Sequence, residues 1–281
     1  MGFASVDALI NAISVNGKMQ RLLFDKTLPS TTVANIPHTF WKATGQPAAG
    51  ADPTVGAANG RVPTSTTTGA LTYTNATGPS TMAMITLGMT SKLASGNGTF
   101  ILCDRLSDIQ LTHVQATTAL TGVTGTSRLG ATTAPGDGGQ IWTEVTSALS
   151  AASNTKTLTY TNQLGTTGRV TQSIITVASA VVGRSCNAKL WQSLASGDTG
   201  VRAVSDQTHS AGSATGQLNY VLVRPLATIP VPVVGLYVER DFVVEMPNIP
   251  LIYDSSCLFL ICVPAGAVVN TIFGELRICE N

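Results

Sequence analysis

The chain has 281 residues, of which 43% are hydrophobic but only 11% are charged, against roughly a quarter charged in ordinary soluble domains. Its formal net charge is +1 and neither sign forms a run, which excludes the electrostatic footprint of a nucleic-acid-binding protein. A surface made polar by Thr, Ser, Asn and Gly can be covered by a partner without burying many unpaired charges. This composition favours a protein that works in an assembly.

The N-terminal residues carry the clearest helical signal, within residues 4 to 24. Ser5 is placed to cap the helix, Asp7 lies in its first turn, and the pattern predicts an end near Gly17. So short a helix must bury its apolar face, either on its own β region or as an arm on a neighbouring subunit. Residues with helical spacing are Val6, Leu9, Ile10 and Ile13.

An irregular connector is predicted from residue 27 to about residue 68. Proline recurs through it among Gly, Ala and Thr, and no hydrophobic period is maintained. Trp41 is the large apolar anchor of this segment, and such an aromatic usually pins a segment to a surface. That surface is either a partner or the protein's own core. We therefore divide the chain into a helix and extended arm (1–68) and a β region (69–281).

After residue 69, short apolar or alternating runs are separated by Gly, Asn, Asp and Ser, which is typical of antiparallel strands and turns. The fold class predicted is all-β, an antiparallel β-sandwich or jelly roll with a short N-terminal amphipathic helix and an extended arm. The predicted strands are 70–74, 82–87, 99–103, 109–113, 141–145, 157–161, 170–177, 188–191, 201–204, 218–223, 233–238, 258–263 and 267–278.

Three details of this region lead to further expectations. Pro264-Ala265-Gly266 favours a turn, so the last two strands are expected to form a hairpin. The string Leu-Thr-Tyr-Thr-Asn occurs at 71–75 and again at 158–162, which leaves duplication of a half-sandwich open. The apolar stretch 256–273 approaches the length of a membrane span, but Pro264, Gly266 and Asn270 interrupt it, so no membrane association is expected.

The sequence offers little for chemistry, and we expect no catalytic, cofactor-binding or metal-ligating residues. His38, His113 and His209 have no nucleophile or carboxylate at a diagnostic spacing, and no phosphate-binding, dinucleotide or metalloprotease motif occurs. The acidic turns at Asp137 and Asp198 each bring one carboxylate, too few for calcium. Paired carboxylates far apart in the chain would leave no local pattern. The five cysteines lack metal-binding spacing, and we interpret them as small buried hydrophobes.

Four stretches resemble a family of tailed-bacteriophage virion proteins encoded near head genes. The sequence differs from that family before Gly197, where Ser193-Leu194-Ala195 replaces a Pro-Leu-Gln. The resembling stretches are Phe-Ala-Ser-Val-Asp-Ala-Leu-Ile-Asn at 3–11, Leu-Cys-Asp-Arg-Leu-Ser at 102–107, Leu-Ala-Ser-Gly-Asp-Thr-Gly-Val-Arg-Ala-Val at 194–204 and Val-Arg-Pro-Leu-Ala-Thr-Ile-Pro at 223–230.

The resemblance implies a capsid-associated, non-enzymatic role, as a cement or decoration protein on the phage head surface, made in the host cytoplasm. Its partners would be the major capsid protein and its own copies, with a homotrimer favoured because capsids present three-fold positions. The alternatives are a tail or fibre-type receptor-binding knob for a host-surface glycan, an enzyme of unrecognised type, or a major shell protein. The candidate interface residues are Phe3, Val6, Leu9, Ile10, Ile13 and Trp41.

Overall fold

The computed structural model describes residues 3–78, 80–93, 96–112, 117–120, 128, 138–151, 153–210, 215–245 and 249–280, except for the side chains of 117, 118 and 245. Their regular structure is almost entirely β, arranged in three sheets whose strand pairs are antiparallel. This confirms the predicted all-β fold class and its short N-terminal helix. The predicted strand end at His113 and the acidic turn at Asp137 lie outside the described residues.

Sheet 1 has the strand order β13-β4-β16-β1-β3, and β14 also pairs with β4. No strand was expected before residue 70, yet β1 lies between β16 and β3. The alternation of buried and exposed residues along β1 is not visible in the sequence, because the outward-pointing Leu23 is as apolar as its buried neighbours Leu22 and Phe24. The strands are β1 (Met19–Thr27), β3 (Thr44–Gln46), β4 (Met82–Ser91), β13 (Val238–Asp241), β14 (Leu251–Ile252) and β16 (Thr271–Glu280).

Sheet 2 has the order β2-β15-β5-β12-β7 and contains the two longest strands, β5 and β12. The predicted strands 99–103 and 109–113 fall along β5, because the charged residues between them are buried in ion pairs instead of forming a loop. The β5–β12 ladder skips Leu106 in β5 and Leu226 in β12. The strands are β2 (His38–Thr39), β5 (Gly98–Thr112), β7 (Gln140–Ser147), β12 (Gln217–Val231) and β15 (Leu258–Pro264).

Sheet 3 has the strand order β10-β8-β11-β6, and β9 also pairs with β8. The predicted strand 170–177 is broken into β9 and β10, and the predicted strand 188–191 is absent because those residues turn. The strands are β6 (Thr117–Ala119), β8 (Thr155–Asn162), β9 (Arg169–Val170), β10 (Ile174–Ile175) and β11 (Val201–His209).

Sheets 1 and 3 share sheet 2 as their packing partner. One hydrophobic cluster joins sheet 1 to the half of sheet 2 that includes Phe100 and Ile229. A second cluster joins sheet 3 to the other half, which includes Ile109 and Tyr220. The described chain is therefore a β-sandwich whose long strands β5 and β12 contribute to both cores.

The predicted hairpin of the last two strands is wrong. β15 pairs with β2 and β5 in sheet 2, whereas β16 pairs with β1 and β4 in sheet 1. Leu260 of β15 and Leu276 of β16 lie in the same hydrophobic cluster, so the two strands pack face to face across the sandwich. The turn at 264–266 crosses between sheets, and buried Asn270 holds the crossing by donating to the Gly96 carbonyl at 2.9 Å.

The two copies of Leu-Thr-Tyr-Thr-Asn have different structures. The first makes one isolated bridge, between Leu71 and Leu258, and is not a strand as predicted. The second lies within β8, where Leu158 and Tyr160 enter the core of sheets 2 and 3. The repeated string therefore does not mark a repeated structural unit. The predicted strand 233–238 likewise overlaps β13 only at Val238.

The predicted N-terminal helix is present as an α-helix, α1 (Val6–Ile10), continued by a π-helical turn (Asn11–Val15). Ser5 caps it as expected, since its Oγ accepts from the Ala8 amide at 3.1 Å. A second short helix, α2 (Phe242–Glu245), follows β13. Because β1 and β2 belong to the sheets, the first 68 residues are integrated into the β fold and do not form a detached arm.

Candidate interaction surface

The N-terminal helix has one apolar side that packs on its own sheet and another that stays open. Leu9 is buried on Ile85 and Cys279, with Phe3 and Ile13 partly buried beside it. Of the predicted interface residues, the structure brings these three onto the outer face of sheet 1.

The open side of α1 carries the remaining two helical candidates. Val6 is 63% exposed and Ile10 is 51% exposed. A cleft of about 250 Å³ lies between α1 and α2, lined by residues including Val6 and Val243. The neighbouring Val244 is also exposed. Val6 and Ile10 lie one helical turn apart and form an apolar surface that the described chain leaves uncovered, which we call the helix patch (Val6, Ile10).

Trp41 does not belong to any surface, which corrects its assignment as an interface residue. It is 0% exposed, and its ring meets Phe259 edge-on with centroids 6.0 Å apart. The Arg105 guanidinium carbon lies 4.5 Å from the Trp41 ring centroid. Gly50 packs so closely on the ring that an added Cβ would be 2.2 Å from it. The anchor therefore fixes the connector to the protein's own core.

Trp41 covers a buried ionic network in sheet 2. Arg105 donates to Asp108 at 2.8 Å and to Glu144 at 2.6 Å, and all three side chains are fully buried. Burial by itself lowers the pKa of Arg105, but Glu144 and Asp108 outweigh it and raise the pKa. Burial likewise opposes ionisation of Asp108, yet Arg105 and Arg61 hold the pKa of that carboxyl below its usual value.

Asp104 forms a second buried centre beside the irregularities of the β5–β12 ladder. Its carboxylate accepts from the Cys257 amide at 2.8 Å, from Ser256 Oγ at 2.6 Å and from Arg128 at 3.1 Å. Arg224 approaches to 3.8 Å from β12. Two of the resembling stretches, 102–107 and 223–230, thus meet in space, and their charged residues hold the ladder together.

The third resembling stretch contains a turn that is fastened to sheet 3 by Asp198. The carboxylate accepts from Arg169 Nε at 2.8 Å, from Tyr160 Oη at 2.5 Å and from Asn162 Nδ2 at 2.8 Å. The Arg169 hydrogen bond is the main reason that the pKa of Asp198 falls to about 2. These three hydrogen bonds give the turn a structural role.

The outer face of sheet 1 contains a cleft that sequence reasoning missed. Leu23, Tyr237 and Phe273 are 55%, 42% and 40% exposed, respectively. The two aromatic rings lie with centroids 6.3 Å apart, and an added Cβ on Gly88 would reach 2.2 Å from Tyr237 Oη, so the tyrosine lies across the glycine. We call this the sheet 1 cleft. It has a volume of about 300 Å³.

Charges of both signs surround these apolar groups. Glu275 is buried between Arg21 and Arg277 and is ion-paired with both. Lys92 pairs with Asp25 and also lies 5.1 Å from the Phe273 ring centroid. No local pattern marks the cleft, because its residues come from β1, β16 and the segment leading to β13 and meet only when the sheet forms.

The described histidines have structural surroundings. His38 Nε2 accepts from the Val33 amide at 3.3 Å, and burial, followed by Arg184, lowers the pKa of His38 to about 4. His209 lies within hydrogen-bonding distance of Gln207 and Tyr220. His113 lies outside the described residues. Within the described ranges, no three His, Cys, Asp or Glu side chains are grouped to hold a metal ion, and no helix is long and apolar enough to cross a membrane.

Comparison with known proteins identifies no family for this chain. No family model matches it, and no curated protein matches it. Among solved structures it has a weak similarity to a mutant VP2 protein of infectious bursal disease virus, determined as derived T=1 particles. The identity is 11% over 97% of this chain and 83% of that chain, with a TM-score of 0.15. At that TM-score the similarity carries no argument about function.

Proposed function

We propose that this protein is a capsid-associated structural protein of a bacteriophage, a cement or decoration protein on the head surface. It would stabilise the head by binding the major capsid protein and other copies of itself. The observation that carries the proposal is the sheet 1 cleft, an exposed sheet face that combines Leu23, Tyr237 and Phe273 with balanced charges. Such a mixed face suits an interface with a protein surface of similar composition.

Two further observations support this role. Asp104, Arg105, Asp198 and Arg224 belong to the stretches that resemble phage virion proteins, and each forms an ion pair that holds strands or turns together. The resemblance therefore includes residues that stabilise this fold. The chain is also poor in charge, with 31 charged residues counted as 16 basic and 15 acidic. A surface with few charges loses little hydration when it is covered.

We assign the two surfaces different partners. The sheet 1 cleft would contact a second copy of the chain, and a repeated head-to-tail contact that closes on itself gives the expected trimer. The helix patch would contact the shell, because an exposed apolar helix side fits a groove on a partner. Deleting everything before residue 30 cannot test this assignment, since it removes β1 from sheet 1.

The self-association arm of the test uses the full chain and sedimentation velocity. Wild type is expected to form a discrete oligomer, and Leu23→Lys or Phe273→Glu to weaken association at least about tenfold, the equivalent of 1.4 kcal/mol. Ile175→Lys is the control, because Ile175 is 65% exposed on sheet 3. A monomeric wild type, or equal weakening by the control, would exclude the sheet 1 cleft as the interface.

The shell-binding arm measures co-sedimentation with mature phage heads that lack the protein. Heads with wild-type protein should melt at a higher temperature, and the double substitution Val6→Ser, Ile10→Ser should reduce binding. The exposed Leu164→Ser provides a matched control on another surface. Failure of the wild-type protein to bind any head preparation would refute the decoration role.

The same cleft also favours one alternative, a tail or fibre-type receptor-binding knob. Aromatic rings beside carboxylates, here Tyr237 and Phe273 with Glu239 and Glu275, can stack on and hydrogen-bond to a sugar. In that case a glycan array would give a saturable signal that Tyr237→Ala abolishes, while the chain would not bind phage heads.

A further inference from the structure

A lysine buried in sheet 3 has an unusual partner. Lys156 lies on β8 and is only 1% exposed. A buried ammonium group normally needs a carboxylate, because removing its charge from water is costly. Within the described chain Lys156 forms no ion pair with a carboxylate. Its Nζ instead contacts a thiol and an aromatic ring, and it lies 4.8 Å from the ring centroid of Tyr220.

The thiol belongs to Cys186, whose sulfur lies 3.1 Å from Lys156 Nζ. Cys186 is 0% exposed, and backbone hydrogen bonds fix its position on both sides. Its amide donates to the Thr143 carbonyl of β7 at 3.1 Å, and its carbonyl accepts from the Val177 amide at 2.7 Å. The amine and the thiol are therefore held together by rigid elements that do not depend on their own contact.

The surroundings of Lys156 favour its uncharged form. Burial lowers the pKa of Lys156, and Cys186 opposes this shift only in part. A neutral amine has a free lone pair and is a nucleophile, and a thiol sulfur is the side-chain atom most readily oxidised in proteins. Lys156 Nζ and Cys186 Sγ are already held within hydrogen-bonding distance in the core, so only an oxidant is needed for them to react.

We propose that Lys156 and Cys186 form an oxidative cross-link, in which a single oxygen atom bridges Nζ and Sγ. The oxidant is dioxygen, which is small enough to enter a protein core. The nitrogen and the sulfur each lose one hydrogen atom and two electrons. One oxygen atom of O₂ enters the Nζ–O–Sγ bridge, and the other leaves as water with the two hydrogen atoms.

The bridge would couple two layers of the fold. Lys156 belongs to sheet 3, while Cys186 hydrogen-bonds to β7 at the edge of sheet 2. The residues are 186 − 156 = 30 positions apart, and closing a loop of that size should raise Tm by about 5 to 10 °C. Oxidation after synthesis in a reducing compartment would thus stabilise the finished protein. This inference is independent of the proposed function.

Peptide mapping of the full-length protein tests the cross-link directly. Protein held in air without reductant is digested with trypsin and compared with protein purified anaerobically. Modified Lys156 resists cleavage, so residues 129–169 should remain joined to residues 185–189 in one species. Its mass should exceed the sum of the two peptides by one oxygen atom less two hydrogen atoms, and dithiothreitol should separate them.

Variants distinguish the bridge from other oxidation. Lys156→Met and Cys186→Ala should each abolish the joined species and the rise in Tm in air, while Cys262→Ala should retain both. Cys262 is a suitable control because it is equally buried but lies in sheet 2. If aerobic wild type yields only the separate peptides 129–156 and 185–189, or if the joined species persists in Lys156→Met, the proposal is overturned.

Discussion

Replacing Arg105 by Met should destabilise the protein more than any surface charge substitution. The change removes the buried partner of Asp108 and Glu144 and the cation above Trp41. Breaking a buried ion pair from one side costs about 3 to 5 kcal/mol, and a desolvated cation–π contact is worth about 2 kcal/mol. Part of the loss is recovered, since Asp108 keeps Arg61 and Glu144 keeps its bond from Trp142. We therefore expect a net loss of about 4 kcal/mol.

The assay is urea unfolding followed by tryptophan fluorescence, because Trp41 and Trp142 both contact the network. The matched control is Arg21→Met, whose side chain is 60% exposed in its pair with Glu275 and should cost at most about 1 kcal/mol. The double variant Arg105→Met, Glu144→Gln should be less destabilised than the sum of the single variants, since no unpaired carboxylate then remains at 144. If Arg105→Met and Arg21→Met lowered the free energy of unfolding equally, the reasoning that burial makes the Arg105 network costly to break would be refuted.

Three further changes have defined outcomes. Asp198→Asn should reduce the loss of stability between about pH 4 and pH 2. The pKa of Asp198 is lowered to about 2 in the folded protein, so its stabilisation disappears as the carboxyl is protonated, and Tm measured against pH checks this. His38→Gln should flatten the decline in Tm between pH 6.5 and about pH 4, since the folded protein binds the His38 proton less readily than the unfolded chain does. Gly88→Ala should displace Tyr237 and weaken self-association in sedimentation velocity, with little change in Tm because Tyr237 is at the surface.

Local sequence patterns predicted much of the secondary structure. For β4, β7, β8, β11 and β15, the residues predicted as strand lie within the observed strand. This is because short alternating or continuous apolar runs bounded by Gly, Asn and Ser rarely form anything other than strands. The Ser5 cap and the helical spacing likewise located α1. β1 was missed because its outward Leu23 broke the alternation, and β5 was predicted as two strands because its charged centre resembled a turn.

The candidate sites depended far more on tertiary structure. Helical spacing identified Val6 and Ile10, which are exposed, together with Leu9, which is buried on its own sheet. A single helix pattern cannot say which part of a wide apolar face its own domain will cover. Trp41 presented the same difficulty, since an isolated aromatic in a connector fits a partner surface and an internal pocket equally well.

The sequence by itself determined that this protein is all-β, with an N-capped helix at its start and little charge on its surface. These properties follow from the composition and from periods that span only a few neighbouring residues. The tertiary structure decided which strands pair and that β15 and β16 separate into facing sheets. It also decided that Leu23 and Phe273 line one cleft and that Lys156 contacts Cys186. Contacts between residues far apart in the chain depend on sheet order and register, and no local spacing records either.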